Sequence, residues 1–158
     1  MNIGHWNFDS NFNVDDWFGF IYRIVEKNTG KEYIGKKQFF SKNRKIVKGR
    51  KNRKVILKES NWKTYTGSSD YLQARISEFG LENFDFFIES LQPTKGALSY
   101  AEIELQVTED VLRAKLPNGE RKYYNKSIGN IKFTPPDKVS SKTRAKISSS
   151  SSGENHDF

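Results

Sequence analysis

The chain has 158 residues, no cysteine and a formal net charge of +8. This length fits one domain with an appendage, and the lack of cysteine excludes a disulfide framework and a zinc–cysteine site. No apolar stretch reaches the length of a membrane span, and the N-terminus lacks the apolar centre of a signal peptide, so we expect a cytoplasmic protein. The excess of Lys and Arg favours an anionic partner, with nucleic acid as the leading candidate.

A β-hairpin is predicted first along the chain. Residues 17–25 are rich in aromatic and β-branched side chains, and a turn sequence follows at 28–31. We expect a two-residue loop at 29–30 to join the two strands.

The register of this hairpin decides which side chains share a face. The two-residue loop sets Tyr22 opposite Lys37. The same loop sets Tyr33 opposite Glu26. Tyr22, Tyr33 and Lys37 then lie on one face of the sheet, whereas a slip of one residue would separate the two tyrosines. On periodicity alone, both tyrosines also fit ordinary strand aromatics.

A basic segment follows the hairpin. Between residues 36 and 58 the chain has eleven Lys or Arg and no acidic residue. Such a segment cannot pack into a core, so it is either a solvated loop or a surface that binds phosphates. Each Lys or Arg that neutralises a phosphate adds affinity independent of sequence, and we expect a nucleic-acid-binding surface beside the tyrosines. Its candidate contacts are Lys42, Lys45, Lys48, Arg50, Lys51, Arg53 and Lys54.

The next elements are predicted to be helix, strand and helix. Apolar residues recur at helical spacing from Asp70 until Gly80 supplies a stop. Aromatic residues over 83–91 indicate a strand, and an apolar stripe over about 97–113 indicates a second helix that packs on the sheet. After a turn, the segment 122–128 returns to the domain. The pattern indicates an α+β fold with a three-stranded, mainly antiparallel sheet flanked by helices.

The paired tyrosine motifs resemble those of the GIY-YIG nuclease family. Residues 20–22 (Phe-Ile-Tyr) and 33–35 (Tyr-Ile-Gly) hold the two tyrosines with ten residues between them, and Phe20 lies where the family usually has its first glycine. The order of elements also matches that family, over about residues 18–128, and the resemblance is closest to phage-encoded, seg-like homing endonucleases. The resemblance implies a nuclease that hydrolyses phosphodiester bonds of double-stranded DNA. It also implies a divalent metal, Mg²⁺ or else Mn²⁺, and no small-molecule cofactor.

The resemblance assigns a metal ligand to the second helix. Glu102 lies at the position of the family's metal-binding glutamate, and Glu104 is the fallback. Ser99 and Glu102 also fit a helix capping box, in which Glu102 would serve as a structural cap instead.

Two further site residues come from the resemblance. Arg44 lies close to where the family has an arginine that contacts the phosphate, although it can equally be one member of the basic segment. Asn125 matches the asparagine of the family's final segment, and it also fits a structural asparagine that bonds to backbone.

A reaction mechanism follows from these residue types. The chain's two histidines, His5 and His156, lie near its ends, so Tyr22 is the expected acceptor of the proton of the attacking water. A free tyrosine is a weak base at neutral pH, but the cations Lys36 and Lys37 would favour its phenolate. Tyr33 would orient water or phosphate.

The C-terminal residues 135–158 differ in composition from the rest. The serine-rich sequence indicates a flexible linker. Residues 140–148 nevertheless resemble the nuclease-associated modular DNA-binding helix, which implies minor-groove contacts. Its contact residues would be Lys142, Arg144 and Lys146.

The chain therefore divides into three predicted parts. Residues 1–16 form an N-terminal extension, residues 17–131 form the nuclease domain with its basic insert at 36–58, and a tail occupies 135–158. The alternative function is that of a basic nucleic-acid-binding protein without catalysis, whose tyrosines are structural.

Overall fold

The computed structural model describes residues 1–46, 48–49, 51 and 54–129, apart from the side chains of residues 44, 45 and 54. The fold is α+β, as predicted. Its strands are β1 (Gly19–Glu26), β2 (Glu32–Gln38), β3 (Phe40–Lys45), β4 (Lys54–Glu59) and β5 (Phe84–Gln92). Its helices are α1 (Asp70–Phe79) and α2 (Lys95–Thr108), with 3-10 turns at Val14–Asp16, Trp62–Thr64 and Leu81–Asn83. Neither α-helix of the described part is long and apolar enough to cross a membrane.

The predicted three-stranded antiparallel sheet is confirmed, with strand order β2-β1-β5. Strand β1 lies in the centre because it is the most apolar of the three, with both of its faces buried over most of its length. Strand β2 lies at one edge of the sheet.

The predicted register of the hairpin is wrong by two residues. Tyr22 lies opposite Gly35, and Lys37 lies opposite Phe20. The reason is the loop: four residues, 27–30, separate Glu26 from Lys31, whose carbonyl accepts the Glu26 N–H at 2.8 Å. A shift of two residues leaves every side chain on its face.

Tyr33 therefore still shares a face with Tyr22. Its partner is Ile24 and not Glu26. The loop ends at Gly30, whose φ of +78° few other residues adopt, so the turn is set by glycine one residue before strand pairing resumes.

Apolar clusters cover both faces of the sheet. The larger cluster joins the Tyr22 face to α1 and to the N-terminal segment, and includes Trp6, Phe20, Ile24, Phe39, Trp62, Leu72, Phe84, Phe86 and Ile88. The smaller cluster joins the opposite face to α2, and includes Ile21, Ile34, Leu98, Val111, Leu112 and Tyr123. The predicted stripe of the second helix packs on the sheet in this smaller cluster.

The caps of the two helices set their bounds. Ser69 caps α1 and Gly80, with φ of +85°, ends it, as the sequence predicted. Thr94 caps α2 through the Ala97 N–H, so this helix begins at residue 95 and ends at 108, earlier at both ends than predicted. Ser99 lies within the helix, and the capping-box interpretation of Glu102 is therefore wrong.

Part of the basic segment folds into a hairpin that the sequence did not predict. Strands β3 and β4 form their own two-stranded antiparallel sheet. Its base is held by Phe39, which is buried against Phe20 and Trp62 at ring-centroid distances of 5.2 and 5.0 Å. Ser60 completes the anchor, because its N–H donates to the Phe39 carbonyl at 2.8 Å.

The N-terminal residues pack on the domain. Trp6 is buried, and its indole N–H donates to the Trp62 carbonyl at 2.5 Å. Asn7 forms a parallel bridge with Phe87 of β5. Residues assigned to an extension thus contribute to the larger apolar cluster.

Candidate active site

A polar cavity of about 210 Å³ opens at the edge formed by β2. Five residues named from the sequence line it, namely Tyr22, Tyr33, Lys36, Glu102 and Asn125. Its other lining residues are Gly35, Ser68, Gln106, Lys126, Ser127 and Gly129. Strands, helix α2 and the returning segment 122–128 all contribute to it.

Gly35 explains how the hydroxyl of Tyr22 reaches this cavity. Tyr22 is 1% exposed, and its ring lies across the backbone of Gly35 in the neighbouring strand. A Cβ at residue 35 would lie 2.6 Å from Cζ of Tyr22, far inside an ordinary contact. Only glycine leaves room for the tyrosine. The last residue of the first motif thus packs against the last residue of the second.

The two tyrosines stack, and both are protonated at neutral pH. Their ring centroids lie 6.1 Å apart at 29°. Burial raises the pKa of Tyr22 well above its usual range, and Tyr33, Tyr65 and Glu102 raise it further. Burial also raises the pKa of Tyr33, whose hydroxyl lies 3.1 Å from Oγ of Ser68.

The expected pairing of Lys37 with Tyr22 is wrong. Lys37 lies opposite Phe20, and its ammonium group lies 4.1 Å from the ring centroid of Tyr65. Tyr65 packs edge-on against Tyr22 with centroids 5.9 Å apart. Burial lowers the pKa of Lys37. The cation thus contacts a third tyrosine, which was not among the predicted site residues.

Glu102 reaches the cavity from the opposite face of the sheet. Helix α2 packs on the face of Ile21 and Ile34, which is opposite the face of the tyrosines. The carboxylate nevertheless lines the cavity with the tyrosines, at the edge strand where Gly35 has no side chain. Glu104 is exposed and lines a different surface cavity near Arg23. Of the two glutamates, Glu102 lies with the other candidate residues.

Lys36 places a cation beside Glu102. Its Nζ lies 3.8 Å from Oε1 of Glu102 and 3.1 Å from Oγ of Ser99, one turn earlier in α2. Burial raises the pKa of Glu102, whereas the charge of Lys36 and a backbone hydrogen bond at Lys36 act to lower it. The carboxylate is thus a desolvated acceptor beside one cation.

Both polar atoms of the Asn125 side chain form hydrogen bonds with backbone. Its Oδ1 accepts the Ile34 N–H at 3.1 Å, and its Nδ2 donates to the Ile34 carbonyl at 2.7 Å. Gln106 donates to the same carbonyl at 3.0 Å. Asn125 therefore has the backbone-bonding arrangement that was one of its two interpretations, and it holds β2 in place beside the cavity.

The residues present fit a magnesium ion shared with substrate. No group of three or more His, Asp or Glu that could hold a metal occurs among the described residues. Mg²⁺, however, usually binds through one or two carboxylates, waters and substrate phosphates. Glu102 supplies one buried carboxylate in a polar cavity, which suits this mode and does not suit a cage made by protein alone.

A buried ion pair near the site was not predicted. Glu26 has no exposed surface, and its carboxylate accepts hydrogen bonds from Arg75 of α1 and from the hydroxyl of Tyr124. The sequence holds a signal for it, since Glu26 continues the alternation of inward residues Tyr22 and Ile24 along β1. These bonds tie β1, α1 and the returning segment together.

The remaining predicted residues lie away from the cavity or outside the described part. Lys42, Lys48 and Lys51 are exposed on the β3–β4 hairpin and its tip. Arg44, Lys45 and Lys54 are described only through their strands. Arg50, Arg53, Lys142, Arg144, Lys146 and the tail 135–158 lie outside the described residues.

Comparison with known proteins gives one match. Residues 5–128, which contain both tyrosine motifs and the whole cavity apart from Gly129, match the family model for the GIY-YIG domain of the endonuclease segE. No curated protein and no solved structure matches the chain. Nucleases with this domain cut DNA and generally use divalent metal ions. The chain belongs to the segE-type GIY-YIG endonucleases, and it is an endodeoxyribonuclease.

Proposed function

We propose that the protein hydrolyses phosphodiester bonds of double-stranded DNA at the β2 cavity, in a reaction that requires a divalent metal ion. The observation that supports this most strongly is the meeting of Tyr22, Tyr33 and Glu102 around one polar cavity, although they come from two strands and from a helix on the opposite face. A structural role alone does not require these polar groups to converge on open space.

Glu102 is the proposed metal ligand. A Mg²⁺ ion bound there would stabilise charge on the phosphoryl and leaving oxygens as a Lewis acid. Burial raises the pKa of Glu102, and the charge of Lys36 acts against this rise. Lys36, Lys37 and Arg44 are the proposed partners of the phosphate.

Tyr22 is the proposed acceptor of the proton of the attacking water. Because its pKa is raised, the phenol is almost wholly protonated at neutral pH, and the reactive phenolate is a minor form. Glu102 contributes to this rise, so neutralising its charge lowers the pKa of Tyr22. Tyr33 and Ser68, whose hydroxyl oxygens lie 3.1 Å apart, orient water or a phosphate oxygen.

Plasmid cleavage tests this proposal. Wild-type protein is incubated with supercoiled plasmid and Mg²⁺, with Mn²⁺, or with a chelator. We expect nicked or linear product with metal and none with chelator. Tyr22→Phe and Glu102→Gln should each reduce cleavage at least about a hundredfold, as loss of one catalytic group does.

Glu104→Gln is the matched control, because it makes the same chemical change on the same helix outside the cavity. We expect it to cleave like the wild type. Cleavage in chelator, or an equal loss in Glu104→Gln, would contradict the assignment of Glu102. Absence of any product with every divalent metal would favour a protein that binds DNA without cutting it.

We further propose that the protein is a homing-type or nicking endonuclease encoded by a phage. The segE type of the matched family supports this proposal. Mapping the cut ends by primer extension distinguishes a nick from a cut in both strands, and recurrent ends at one sequence would support homing. Ends scattered over the plasmid would contradict it.

A further inference from the structure

The β3–β4 hairpin forms a ribbon that stands apart from the main sheet. Six residue pairs run from Phe40 opposite Glu59 to Lys45 opposite Lys54. At about 3.3 Å per residue, the ribbon is about 20 Å long. In the described part of the chain its strands pair only with each other. Its base is fixed by Phe39 and Ser60, so it is a rigidly rooted projection.

One face of the ribbon combines aliphatic and basic side chains. Leu57 is 63% exposed and lies opposite Lys42, and Val55, two residues before Leu57 and 52% exposed, lies on the same face. Ile46, just beyond β3, is 79% exposed. Exposed aliphatic residues grouped on one face indicate a surface that a partner covers.

Charge identifies this partner. Residues 36–58 hold eleven Lys or Arg and no acid. Two copies of the ribbon would repel each other, so a second chain is an unsuitable occupant. A polyanion suits it, and DNA is the substrate of the family to which the chain belongs.

We propose that the ribbon enters the major groove of DNA, with the face of Lys42, Val55 and Leu57 toward the base edges. In undeformed B-DNA the major groove, about 12 Å wide, admits a two-stranded ribbon, whereas the minor groove, about 6 Å wide, is too narrow. Lysine bonds to guanine, and aliphatic side chains contact the thymine methyl group. The ribbon then reads sequence as well as binding phosphate. This proposal depends on DNA being the substrate in the proposed function.

Disulfide crosslinking tests the groove. The chain has no cysteine, so Leu57→Cys introduces a unique thiol. It is mixed, with chelator present, with duplexes that carry a thiol tether either on N4 of cytosine in the major groove or on N2 of guanine in the minor groove. We expect roughly tenfold more crosslinking to the cytosine tether, because the two groups face different grooves.

Leu81→Cys is the matched control, since Leu81 is 51% exposed and lies outside the ribbon. We expect it to crosslink to neither tether above background. Preferred crosslinking of Leu57→Cys to the guanine tether would overturn the proposal, as would its failure to crosslink while duplex binding persists. Crosslinking without plasmid cleavage would refute the nuclease proposal alone, and cleavage by the wild type without crosslinking would refute the ribbon proposal alone.

Salt dependence provides a second readout. Lys42→Ala should lower the slope of log affinity against log salt by about 0.9, as loss of one phosphate contact does, or weaken binding to guanine-containing duplexes if Lys42 bonds a base. Lys27→Ala removes an exposed lysine from the hairpin loop of the main sheet, where its partner Asp85 lies 3.6 Å away, and should leave binding unchanged. An unchanged slope and unchanged affinity in Lys42→Ala would overturn the proposed face.

Discussion

Gly35→Ala should damage the cavity without abolishing the fold. The added Cβ would lie 2.6 Å from Cζ of Tyr22 and still closer to its hydroxyl oxygen, so reaching the 3.4 Å of an ordinary contact requires a ring shift of at least about 0.8 Å. Neighbouring aromatic rings restrict this shift. Trp6, Tyr33 and Tyr65 pack around the Tyr22 ring with centroids 5.3, 6.1 and 5.9 Å away.

The size of the effect follows from this shift. Overpacking a well-packed core costs about 1–3 kcal/mol, so we expect the free energy of unfolding to fall by about 2 kcal/mol. Displacing a reacting group by about 1 Å costs about a hundredfold in rate, or about 2.7 kcal/mol of barrier. Urea unfolding measures the first quantity. Single-turnover nicking of supercoiled plasmid with Mg²⁺ measures the second.

Gly96→Ala is the matched control. A Cβ at residue 96 meets no atom within 4 Å, and residue 96 lies in α2. Alanine in a helix is favoured over glycine by about 0.5–1 kcal/mol, so this variant should be slightly more stable and fully active. Wild-type stability and nicking in Gly35→Ala would refute the conclusion that Tyr22 is held against the glycine.

The remaining predictions concern the Glu26–Arg75 pair, the ionisation of Tyr22 and the cap of α2. Arg75→Met leaves Glu26 buried without its cation and should cost about 3 kcal/mol of unfolding free energy. Burial acts to raise the pKa of Glu26, but the hydrogen bonds to its carboxylate lower this pKa overall. The carboxylate should therefore stabilise the fold fully above its unfolded pKa and lose this contribution as the pH falls through its folded pKa. Urea unfolding from about pH 3 to 7 measures this loss. Because the pKa of Tyr22 is raised, nicking should accelerate about tenfold per pH unit from about pH 6 to 9, and any residual activity of Tyr22→Phe should lack this slope. Thr94→Ala should lower the free energy of unfolding by about 1 kcal/mol, because it removes the cap of α2. An equal loss in Ser99→Ala would contradict this and support Ser99 as the cap.

The sequence predicted the main sheet because its strands carry their own signals. Aromatic and β-branched residues mark β1, and aromatic residues mark β5. The side chains were assigned to the correct faces despite the wrong register, because the observed loop is two residues longer than the predicted one. The exact pairing could not be predicted, since Gly30 is compatible with both loop lengths.

Charge hid the second hairpin in the sequence. The run Val55-Ile56-Leu57 has the β-branched character of a strand, but eleven basic residues around it indicated a solvated segment. Gly49, which has a φ of +83° in the structure, was a further sequence signal for a turn between the two strands. The burial of Glu26 was not predicted either, because an acidic residue without a known partner is expected to be exposed. Its cation, Arg75, lies 49 positions later in the chain.

The edge of β2 explains why the site lies where it does. Residues 32, 34 and 36 direct their backbone groups away from β1, and an edge strand needs partners for them. Glu32 bonds to the returning segment through Lys122 and Tyr124. Ile34 bonds to Asn125 and Gln106. The backbone of residue 36 comes next along this edge, and its interaction with the Glu102 carboxylate acts to lower the pKa of Glu102.

Glu102 is therefore one of several side chains and segments that lie along the backbone of the β2 edge. This position explains how a helix on one face of the sheet places its carboxylate beside tyrosines of the other face. A carboxylate that accepts one backbone hydrogen bond is held in a fixed position and retains lone pairs for a cation. Glu102→Gln keeps an oxygen acceptor for that bond and removes only the charge. It should lose cleavage but keep most of its stability, whereas Glu102→Ala should lose both, and equal unfolding free energies for the two variants would refute the edge role of Glu102.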